Sequence, residues 1–522
     1  MSDLYSANLS RRRFLAGSLG VGGAVLLASC TAAVSRDKSG RSKPVQGGTL
    51  RMVQTADIAP ATLLSQNNPN FSICRTVFNT LTEYDHKTLD PKPSLATHWN
   101  ISDGGKTYVL SLRDDVKYHT GRPFGPDDVV NVIDILKQDT TSSQLKHVAA
   151  ICDARKTGAN EVTLTFSQAV SNVFDLFEVM IVVDKETYPD LLAGRKFIGT
   201  GPFTMQSYRP GSGYTLKRND QYWKAGRPYL DGVEVAVVTQ SSSAVSSLRS
   251  GQSQLALDLA PLDAIGLKGS AGFQLVPSDA QDSVFYLGQN VTVPPLDKVE
   301  VRQAIAQAID RERILSQVLG GIGHTSSIPW SPSSSAFDVS KRDTYRHDPA
   351  KAKQLLATAG ASGASVDIYY NAGFAPNAGI AEIVQFDLTS AGLKATAKPQ
   401  QAADFFSLLS GSGIPGLFVN VHGFGQLHPA TLVKGAFPFN ARANAERFTS
   451  QQYSDLATKM WTTTDQTAAK GVYADMNDLL IKEQFVTDLV VSSHTYTIST
   501  KLNGLAWNMF DYINLDDAYL ST

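Results

Sequence analysis

Alternating strand and helix patterns predict that this sequence folds as an α/β protein with more than one lobe. Segments in which apolar and polar residues alternate are followed by segments with apolar residues at helical spacing, which is typical of sheets covered by helices. The chain has 522 residues, too many for a single hydrophobic core, so we expect two or three domains. Its composition, 42% hydrophobic and 18% charged, is that of a globular protein.

The first strand of the folded part is predicted at 48–53, where apolar and polar residues alternate. A polar loop follows it, and we expect a helix over Phe71–Leu81. Another helix is predicted over 126–138, because Pro126 suits a first turn and Asp127 lies near the positive end of the helix dipole. The remaining strands are predicted at 107–113, 161–166, 233–238, 365–370 and 416–421, and the remaining helices at 242–250, 299–319, 349–359, 380–391 and 467–482.

The N-terminal stretch has the features of an export signal. Three arginines precede an apolar run that is diluted by glycines and is shorter than the about 20 residues that a membrane span needs. The start of this stretch, SRRRFL at Ser10–Leu15, resembles the twin-arginine signal of proteins that are exported after folding. Its end, LASC at Leu27–Cys30, resembles a bacterial lipobox, in which the cysteine receives lipid.

These two matches divide the N-terminal region into two parts. We expect 1–29 to be an export signal peptide that is removed. Residues 30–47 would then be the lipidated Cys30 and a flexible, polar tether. This arrangement implies an extracytoplasmic protein that is anchored to the cell membrane as a lipoprotein.

Several classes of function lack their sequence signals. The formal net charge is −1 and there is no basic stripe, so we expect no nucleic-acid partner. The motifs C-x-x-C, H-E-x-x-H, G-x-S-x-G and G-x-x-x-x-G-K-[ST] are absent, and we expect no catalysis, no cofactor and no metal. A secreted enzyme is a remote alternative. Cys74 and Cys152 are either one disulfide or two free thiols.

Four stretches of the sequence contain motifs that are informative together with their order along the chain. The first, at 81–128, contains PSLATHW, DGGKTYVLSLR and GRPFGPDD, and the second, at 198–235, contains IGTGPF, RNDQYW and PYLDG. The third, at 294–323, contains VRQAIAQAIDR, and the fourth is HDPAKAKQLLATAG at 347–360. Together they resemble the bacterial extracytoplasmic solute-binding proteins of ABC importers, family 5, the peptide/nickel type.

This resemblance implies a fold and its boundaries. The family has the two-lobed periplasmic-binding-protein type II fold, in its large cluster C form, with an extra subdomain in lobe I. By analogy, lobe I would comprise 48–90, 198–283 and 488–522, the subdomain 91–197, and lobe II 284–487. A ligand would be trapped between the lobes by hinge closure.

The resemblance also implies where the ligand lies. In peptide-binding relatives the loop after the first strand contacts the ligand, and lobe II supplies the opposite walls. The expected ligand-binding residues are Gln66, Asn67, Asn68, Tyr286, Asn290, Asn371, His422, Phe424, Gln426 and His428.

One segment of this sequence departs from the pattern of the peptide-binding relatives. They carry a Gly-Trp motif and an aspartate that pairs with the peptide ammonium, whereas this chain has GFGQLH at 423–428, without an acid. This favours a neutral or anionic solute, a sugar-like molecule or a modified peptide. His422 and His428 also suggest a nickel chelate, because imidazole is a common nickel ligand.

The sequence therefore predicts a receptor rather than an enzyme. We expect it to capture a small organic solute, an oligopeptide or a peptide-like compound first, and to deliver it to ABC permease and ATPase subunits. The alternatives are a sugar, an opine-like compound or a nickel chelate bound by the same fold, and a chaperone, sensor or adhesion role for the cleft. A monomer is expected.

Overall fold

The computed structural model describes residues 44–66, 70–85, 88–257, 259–278, 281–411, 413–508 and 510–521. The predicted export signal, Cys30, Asn67 and Asn68 lie outside the described residues. The strands in chain order are Thr49–Gln54 (β1), Thr82–Tyr84 (β2), Pro91–Pro93 (β3), Ala96–Ser102 (β4), Thr107–Leu112 (β5), Cys152–Gly158 (β6), Glu161–Phe166 (β7), Phe203–Arg209 (β8), Gly213–Arg218 (β9), Gly232–Val237 (β10), Leu255–Ala256 (β11), Phe273–Pro277 (β12), Ser283–Gln289 (β13), His324–Thr325 (β14), Ser365–Asn371 (β15), Lys394–Gln400 (β16), Leu417–His422 (β17), Val486–Ser492 (β18), Thr495–Ser499 (β19), Leu502–Asn503 (β20), Ala506–Trp507 (β21), Ile513–Asn514 (β22) and Tyr519–Leu520 (β23).

In the described part of the chain, two 3₁₀ turns at Pro60–Ser65 and Asp103–Gly105 accompany the α-helices. The helices are Phe71–Cys74 (α1), Pro126–Lys137 (α2), Lys146–Ala149 (α3), Val173–Val179 (α4), Tyr188–Leu192 (α5), Ser241–Arg249 (α6), Pro261–Ile265 (α7), Val299–Ala308 (α8), Arg311–Gln317 (α9), Val339–Arg342 (α10), Pro349–Thr358 (α11), Ala375–Ala391 (α12), Ala402–Ser410 (α13), Pro429–Gly435 (α14), Gln451–Thr462 (α15) and Gln466–Glu483 (α16). None of the described helices is long and apolar enough to cross a membrane.

The predicted α/β class and two-lobed fold are confirmed. One lobe is built on a seven-stranded sheet in the order β12-β19-β11-β1-β10-β9-β8, with β1 parallel to both β10 and β11. The other is built on a six-stranded sheet in the order β14-β18-β13-β17-β15-β16, with β15 parallel to β16 and β17. The strands β13, β17 and β18 at the centre of this second sheet are almost wholly buried because helices cover them.

The chain passes between the two sheets at two places. It leaves the seven-stranded sheet after β12 and enters the six-stranded sheet at β13, and it returns from β18 to β19. The two crossings touch, because the backbone N–H of Ser278 donates to the carbonyl oxygen of His494 at 2.8 Å. Both connections are only a few residues long, which is the geometry of a hinge.

A third sheet, β4-β5-β7-β6, forms a separate layer that alternates buried and half-exposed residues. Helix α4 packs against this sheet, with the ring centroids of Phe174 and Tyr108 6.1 Å apart, and buried contacts link α4 to helix α14. The carboxylate of Asp175 accepts from the backbone N–H of His428 at 3.0 Å and from the hydroxyl of Thr431. Burial raises the pKa of Asp175 to about 6, although these hydrogen bonds oppose the shift.

Two predicted helices are shorter or broken. The helix expected over Phe71–Leu81 ends at Cys74, and it does not continue because the carbonyls of Thr76 and Val77 accept from the backbone N–H groups of Phe203 at 3.0 Å and Gly201 at 2.9 Å. Gly201 must be glycine for this approach, since a Cβ there would lie 2.5 Å from the Val77 carbonyl carbon.

The helix expected over 299–319 is two helices, α8 and α9. Asp310 separates them and caps α9 by accepting from the backbone N–H of Arg313 at 3.0 Å. The alternative left open for the cysteines is also resolved: Cys74 and Cys152 are buried free thiols. The other predicted elements are present, with ends that differ by a few residues.

We predict that buried carboxylates make this protein less stable as pH rises. Burial raises the pKa of Asp488 to about 8, although Arg311 opposes the shift. From about pH 4 to 8 the folded protein therefore holds a proton that the unfolded chain releases, so its stability falls across this range. Asp488→Asn should reduce this fall and raise the free energy of unfolding at pH 8 by about 1 kcal/mol or more.

Urea unfolding of the wild type and the variant at pH 4.5, 6 and 8 measures this effect. Asp220→Asn is the control, because the Asp220 side chain is exposed and pairs with Arg218 at the surface. The control should keep the wild-type slope of stability against pH. An Asp488→Asn variant with that same slope would contradict the prediction.

Candidate functional site

A cavity of about 290 Å³ lies between the two large sheets, next to the two chain crossings. This is the position where ligands bind in α/β folds, at the ends of strands and between lobes. Its lining residues are Gln66, Phe71, Gln144, Leu259, Pro261, Asp282, Ser283, Phe285, Leu319, Ile322, Phe374, Pro376, Val421, His422, Gly423, Ser492, Ser493, His494, Thr495, Tyr496 and Phe510.

The wall from the six-stranded sheet is formed where its central strands end. Strand β17 ends at His422 and β18 at Ser492, while β13 runs antiparallel to both and begins at Ser283. The aromatic ring of Phe285 on β13 stacks on that of Phe374, with centroids 6.4 Å apart and planes at 10°. Phe374 is 39% exposed and precedes helix α12, so it presents an aromatic face to the cavity.

In the opposite wall, the side chain of Gln66 connects two segments of the chain through hydrogen bonds. Its side-chain Oε1 accepts from the hydroxyl of Ser143 at 3.1 Å and from the backbone N–H of Gln144 at 2.9 Å. Its Nε2 donates to the carbonyl of Leu64 at 2.6 Å. Gln66 therefore joins the loop after β1 to the segment before α3, and its hydrogen-bonding groups are directed at the protein.

His422 brings a polar atom into an otherwise aromatic part of the wall. Its Nδ1 accepts from the backbone N–H of Phe424 at 3.2 Å, which assigns the ring proton to Nε2. That Nε2 is buried without a hydrogen-bond partner among the described residues. Burial lowers the pKa of His422 to about 3, so the ring is a neutral donor at physiological pH.

A cluster of three ionisable side chains lies at the edge of the cavity. Asp282 and His494 line it, and Asp511 is buried beside them, with one carboxylate or imidazole atom from each residue within 4.8 Å of the others. Burial and repulsion from Asp511 raise the pKa of Asp282 well above its usual range. Burial also raises the pKa of Asp511, although His494 opposes that shift.

Sequence analysis missed this cluster. The lack of an acid at 423–428 favours a neutral or anionic solute, but Asp282 from another segment lines the cavity and Asp511 lies beside it. The only local signal was an aspartate immediately before the apolar strand SVFYLGQ. Its meaning depends on Asp511, which is more than 200 residues away in sequence.

The predicted ligand-binding residues are only partly brought together. Gln66 and His422 line the cavity. Among the described residues, the other six predictions are not part of its lining: Tyr286, Asn290, Asn371, Phe424, Gln426 and His428. Direct ligand contact by these six residues remains an untested prediction.

The structure shows what several of these six side chains do instead. The hydroxyl of Tyr286 is fully buried and accepts from the side-chain amide of Asn420 at 3.2 Å. Asn290 donates to the carbonyl of Ile414 at 2.7 Å. Gln426 is also buried and donates to the hydroxyl of Ser333 at 3.0 Å. These three side chains stabilise the interior of the second lobe.

The remaining three predicted residues stabilise a turn, cap a helix and pack behind the cavity wall. The side chain of Asn371 accepts from the backbone N–H of Gly373 at 2.9 Å. This hydrogen bond stabilises a turn just before Phe374, which lines the cavity. His428 caps helix α14 by accepting at Nδ1 from the N–H of Ala430 at 3.3 Å. Phe424 is buried with its ring centroid 6.1 Å from that of His422, so it packs behind the cavity wall.

The family model of the bacterial extracellular solute-binding proteins, family 5, matches residues 90–436. This match covers most of the chain, and the chain therefore belongs to that family. Its members are solute-binding proteins, and the predicted resemblance is confirmed at this level.

Individual relatives agree with this assignment. The chain is 29% identical over 467 residues to di/tripeptide-binding protein 1 of Pseudomonas aeruginosa (strain UCBPP-PA14). The alignment covers 81% of this chain and 84% of the relative. The fold is similar to that of the periplasmic binding protein DppA from Helicobacter pylori in complex with the peptide STSA, with a TM-score of 0.78, 19% identity, and coverage of 92% of this chain and 99% of that one.

A third comparison concerns a different kind of ligand. The binding protein AgaA from A. tumefaciens, solved with agropinic acid, has a TM-score of 0.78 and 21% identity, covering 91% of this chain and 99% of that one. At these identities the solved structures establish the shared fold of this chain.

We predict that Gln66 contributes measurably to the stability of the cavity wall. Gln66→Asn shortens the side chain by one methylene, so it can no longer reach both Ser143 and Gln144, while asparagine tolerates the positive φ of 53° at this position. The free energy of unfolding should fall by about 1 kcal/mol or more, because the Gln144 N–H loses its partner.

Urea unfolding compares this variant with Gln206→Asn. The Gln206 side chain donates to the hydroxyl of Thr204 at 3.1 Å at an exposed site, so its shortening should change stability by less than about 0.5 kcal/mol. Equal effects of the two substitutions would show that Gln66 does not tie the wall together.

Proposed function

We propose that this protein is the solute-binding receptor of an ABC importer and that it captures a small peptide or peptide-like compound between its lobes. The single observation that carries this proposal is the cavity at the two crossings, walled by apolar side chains and by polar groups from both large sheets. Apolar walls with a few placed polar groups are typical of small-molecule sites. The peptide-binding relatives support the ligand class.

Capture and release follow from the connectivity of the chain. Two short crossings allow the lobes to open and close as units, since few backbone dihedrals separate them. A solute that contacts both walls binds the closed form more tightly and so shifts the population toward it. The closed receptor then delivers the solute to the permease and ATPase subunits, and we assign it no catalytic step.

We place the lobe boundaries close to those expected from the sequence. Lobe I comprises 48–90, 198–283 and the C-terminal segment, the subdomain 91–197, and lobe II the segment from 284. The expected start of the C-terminal segment at 488 falls inside β18, which pairs with β13 of the six-stranded sheet. We therefore propose that the chain returns to lobe I at 493.

The cavity volume favours a small solute. About 290 Å³ lies just below the usual range for small-molecule pockets and suits a compound of a few residues rather than a long peptide. An opine-like compound is the second candidate, because AgaA with agropinic acid shares the fold. A sugar or a nickel chelate is a further alternative.

Native mass spectrometry of the protein purified without denaturation identifies a retained solute. A thermal-shift screen over di- to tetrapeptides, opine-type amino acids and sugars then ranks the classes, because a bound solute raises the melting temperature. Stabilisation by di- or tripeptides supports the proposal. Stabilisation by none of these compounds would overturn it.

We predict that Phe374→Ala weakens binding of the best solute from this screen about tenfold. The substitution removes the aromatic face that stacks on Phe285, which corresponds to about 1.4 kcal/mol of binding free energy. Phe386→Ala is the matched control, because Phe386 is 62% exposed on helix α12 and is not among the cavity lining. Isothermal titration calorimetry measures both. A tenfold loss in the control as well, or none in Phe374→Ala, would contradict the prediction.

We further propose that the protein is exported by the twin-arginine route and anchored through Cys30. The support is the sequence alone, SRRRFL at Ser10–Leu15 and LASC at Leu27–Cys30. The family description as extracellular agrees with export. An anchored receptor would remain close to the permease, and we propose that it acts as a monomer.

Cell fractionation tests this export proposal. Replacing Arg11 and Arg12 together by lysine should leave the precursor in the cytoplasm, whereas Arg13→Lys, at the variable position of the motif, should be exported as the wild type is. Cys30→Ser should abolish incorporation of labelled fatty acid. Unchanged lipid labelling of the Cys30→Ser variant would exclude this anchor.

A further inference from the structure

The cluster of Asp282, His494 and Asp511 lies where the chain crosses between the two large sheets. Asp282 lies in the first crossing, immediately before β13, and His494 lies in the second crossing, between β18 and β19. Asp511 follows β21 and belongs to the C-terminal part of the chain. We call these three residues the hinge cluster. Its members come from three separate segments that meet only where the chain passes between the lobes.

The atoms of the hinge cluster lie close enough together to approach a single ion. The Nε2 of His494 lies 3.3 Å from Oδ2 of Asp511, and one oxygen of Asp282 completes a set in which all atoms lie within 4.8 Å of one another. Ligands at about 2.0–2.2 Å from one ion lie roughly 3–3.5 Å apart. The His494–Asp511 edge already has this length, and a small movement of Asp282 would complete the set.

The surroundings of the cluster leave negative charge to be compensated. Asp282 and Asp511 are 3% and 1% exposed, and among the described residues neither carboxylate forms an ion pair with a lysine or arginine. Ser278 supports the arrangement by donating its hydroxyl to Oδ1 of Asp511 at 2.5 Å, which leaves Oδ2 turned toward His494. Two buried carboxylates that face one imidazole need a cation or a shared proton.

One buried oxygen of the cluster is available to a ligand, and the cluster can be reached from the cavity. In the described part of the chain, Oδ2 of Asp511 is buried without a hydrogen bond of good geometry, although Asp282 and Tyr496 lie close enough to lower the pKa of its carboxyl group. The Nε2–H of His422, which lines the same cavity, is a donor without a partner among the described residues, so it is available to an acceptor group of a solute beside the ion. Asp282 and His494 themselves line the cavity, so an ion bound between them would be reachable from the cleft.

We propose that Asp282, His494 and Asp511 bind a divalent transition-metal ion at the hinge of the receptor. One imidazole and two carboxylates suit zinc, manganese or nickel better than calcium or magnesium, which prefer oxygen ligands alone. Three protein ligands leave at least one coordination position open toward the cavity. This inference is independent of which solute the receptor carries.

The position of the site gives the ion a structural consequence. Because its ligands come from both crossings and from the C-terminal segment, a bound ion cross-links the two hinge strands to lobe I. It would hold the cavity wall formed by Asp282 and His494 in one arrangement and so reduce the flexibility of the empty receptor. Solute affinity should therefore depend on metal, through the hinge rather than through contact alone.

Metal binding is tested on the purified receptor without a histidine tag and after treatment with chelator. Calorimetry and thermal shift with ZnCl₂, NiCl₂ and MnCl₂ are compared with CaCl₂ and MgCl₂ as controls. We expect one ion per chain, a higher melting temperature with at least one transition metal, and little effect of calcium or magnesium. His494→Gln and Asp511→Asn should each weaken this binding at least tenfold.

His98→Gln is the matched control, because His98 is an exposed histidine on β4, away from the cluster. It should bind metal as the wild type does. Asp511→Asn should melt at or above the wild-type temperature without metal, because it removes one of two facing carboxylates, so lost binding would not reflect lost folding.

Three results would overturn the proposal. No binding of any of the five ions would show that the carboxylates share a proton instead. Metal binding that survives in both His494→Gln and Asp511→Asn would place the ion elsewhere. Stabilisation of the chelated protein by cationic amines, lost in Asp511→Asn and without any effect of metals, would assign the cluster to a positively charged group of the solute. The solute screen on metal-free protein separates these results from a failure of the receptor function.

Discussion

The hydrogen-bonded contact between the two chain crossings is the constraint on which the rest of this structure depends. The N–H of Ser278 and the carbonyl of His494, 2.8 Å apart, hold together two segments that are separated by more than 200 residues in sequence. On one side β12 pairs with β19, and on the other β13 pairs with β18. The crossings therefore continue the pairing of both sheets from one lobe to the other, and they define where the lobes meet.

The cavity follows from this arrangement, because strand ends converge beside the crossings. Backbone groups at strand ends are no longer paired within the sheet and must find other partners, which makes these ends suitable for polar ligands. His422 and Ser492 stand at such ends, and Asp282 precedes the start of the antiparallel strand between them. Helices and loops then close the cavity with aromatic side chains, of which Phe374 remains exposed.

Several carboxyl groups are buried in this fold, and burial favours their protonated form. Glu178 is buried beside Arg75, with Oε1 3.2 Å from the guanidinium, and burial still raises the pKa of Glu178 to about 7. Asp175 and Asp488 lie in similar surroundings without a lysine or arginine ion pair among the described residues. A folded state that holds protons on such groups is favoured at acidic pH, where the unfolded chain holds them as well.

Much of the fold was predictable because its local signals agree with its tertiary structure. The strand at Thr49–Gln54 and the helix at Pro126–Lys137 are specified by alternation and by the acidic first turn. Where prediction was wrong, distant segments decided the outcome. The helix that begins at Phe71 stops early because Gly201 uses the carbonyl of Val77, and the helix at 299–319 breaks because Asp310 caps a second one.

The sequence by itself determined the class of protein, the order of its elements and the family, because periodicity and ordered motifs are properties of contiguous residues. Only the tertiary structure decided which side chains share the cleft. Gln66 and His422 reach it, whereas Asn290 and Gln426 are turned into the core, and the carboxylates of the hinge cluster come from segments with no common motif. The physical reason is that a site between lobes is assembled where the chain crosses from one lobe to the other. The local sequence does not specify which distant residues those crossings bring together.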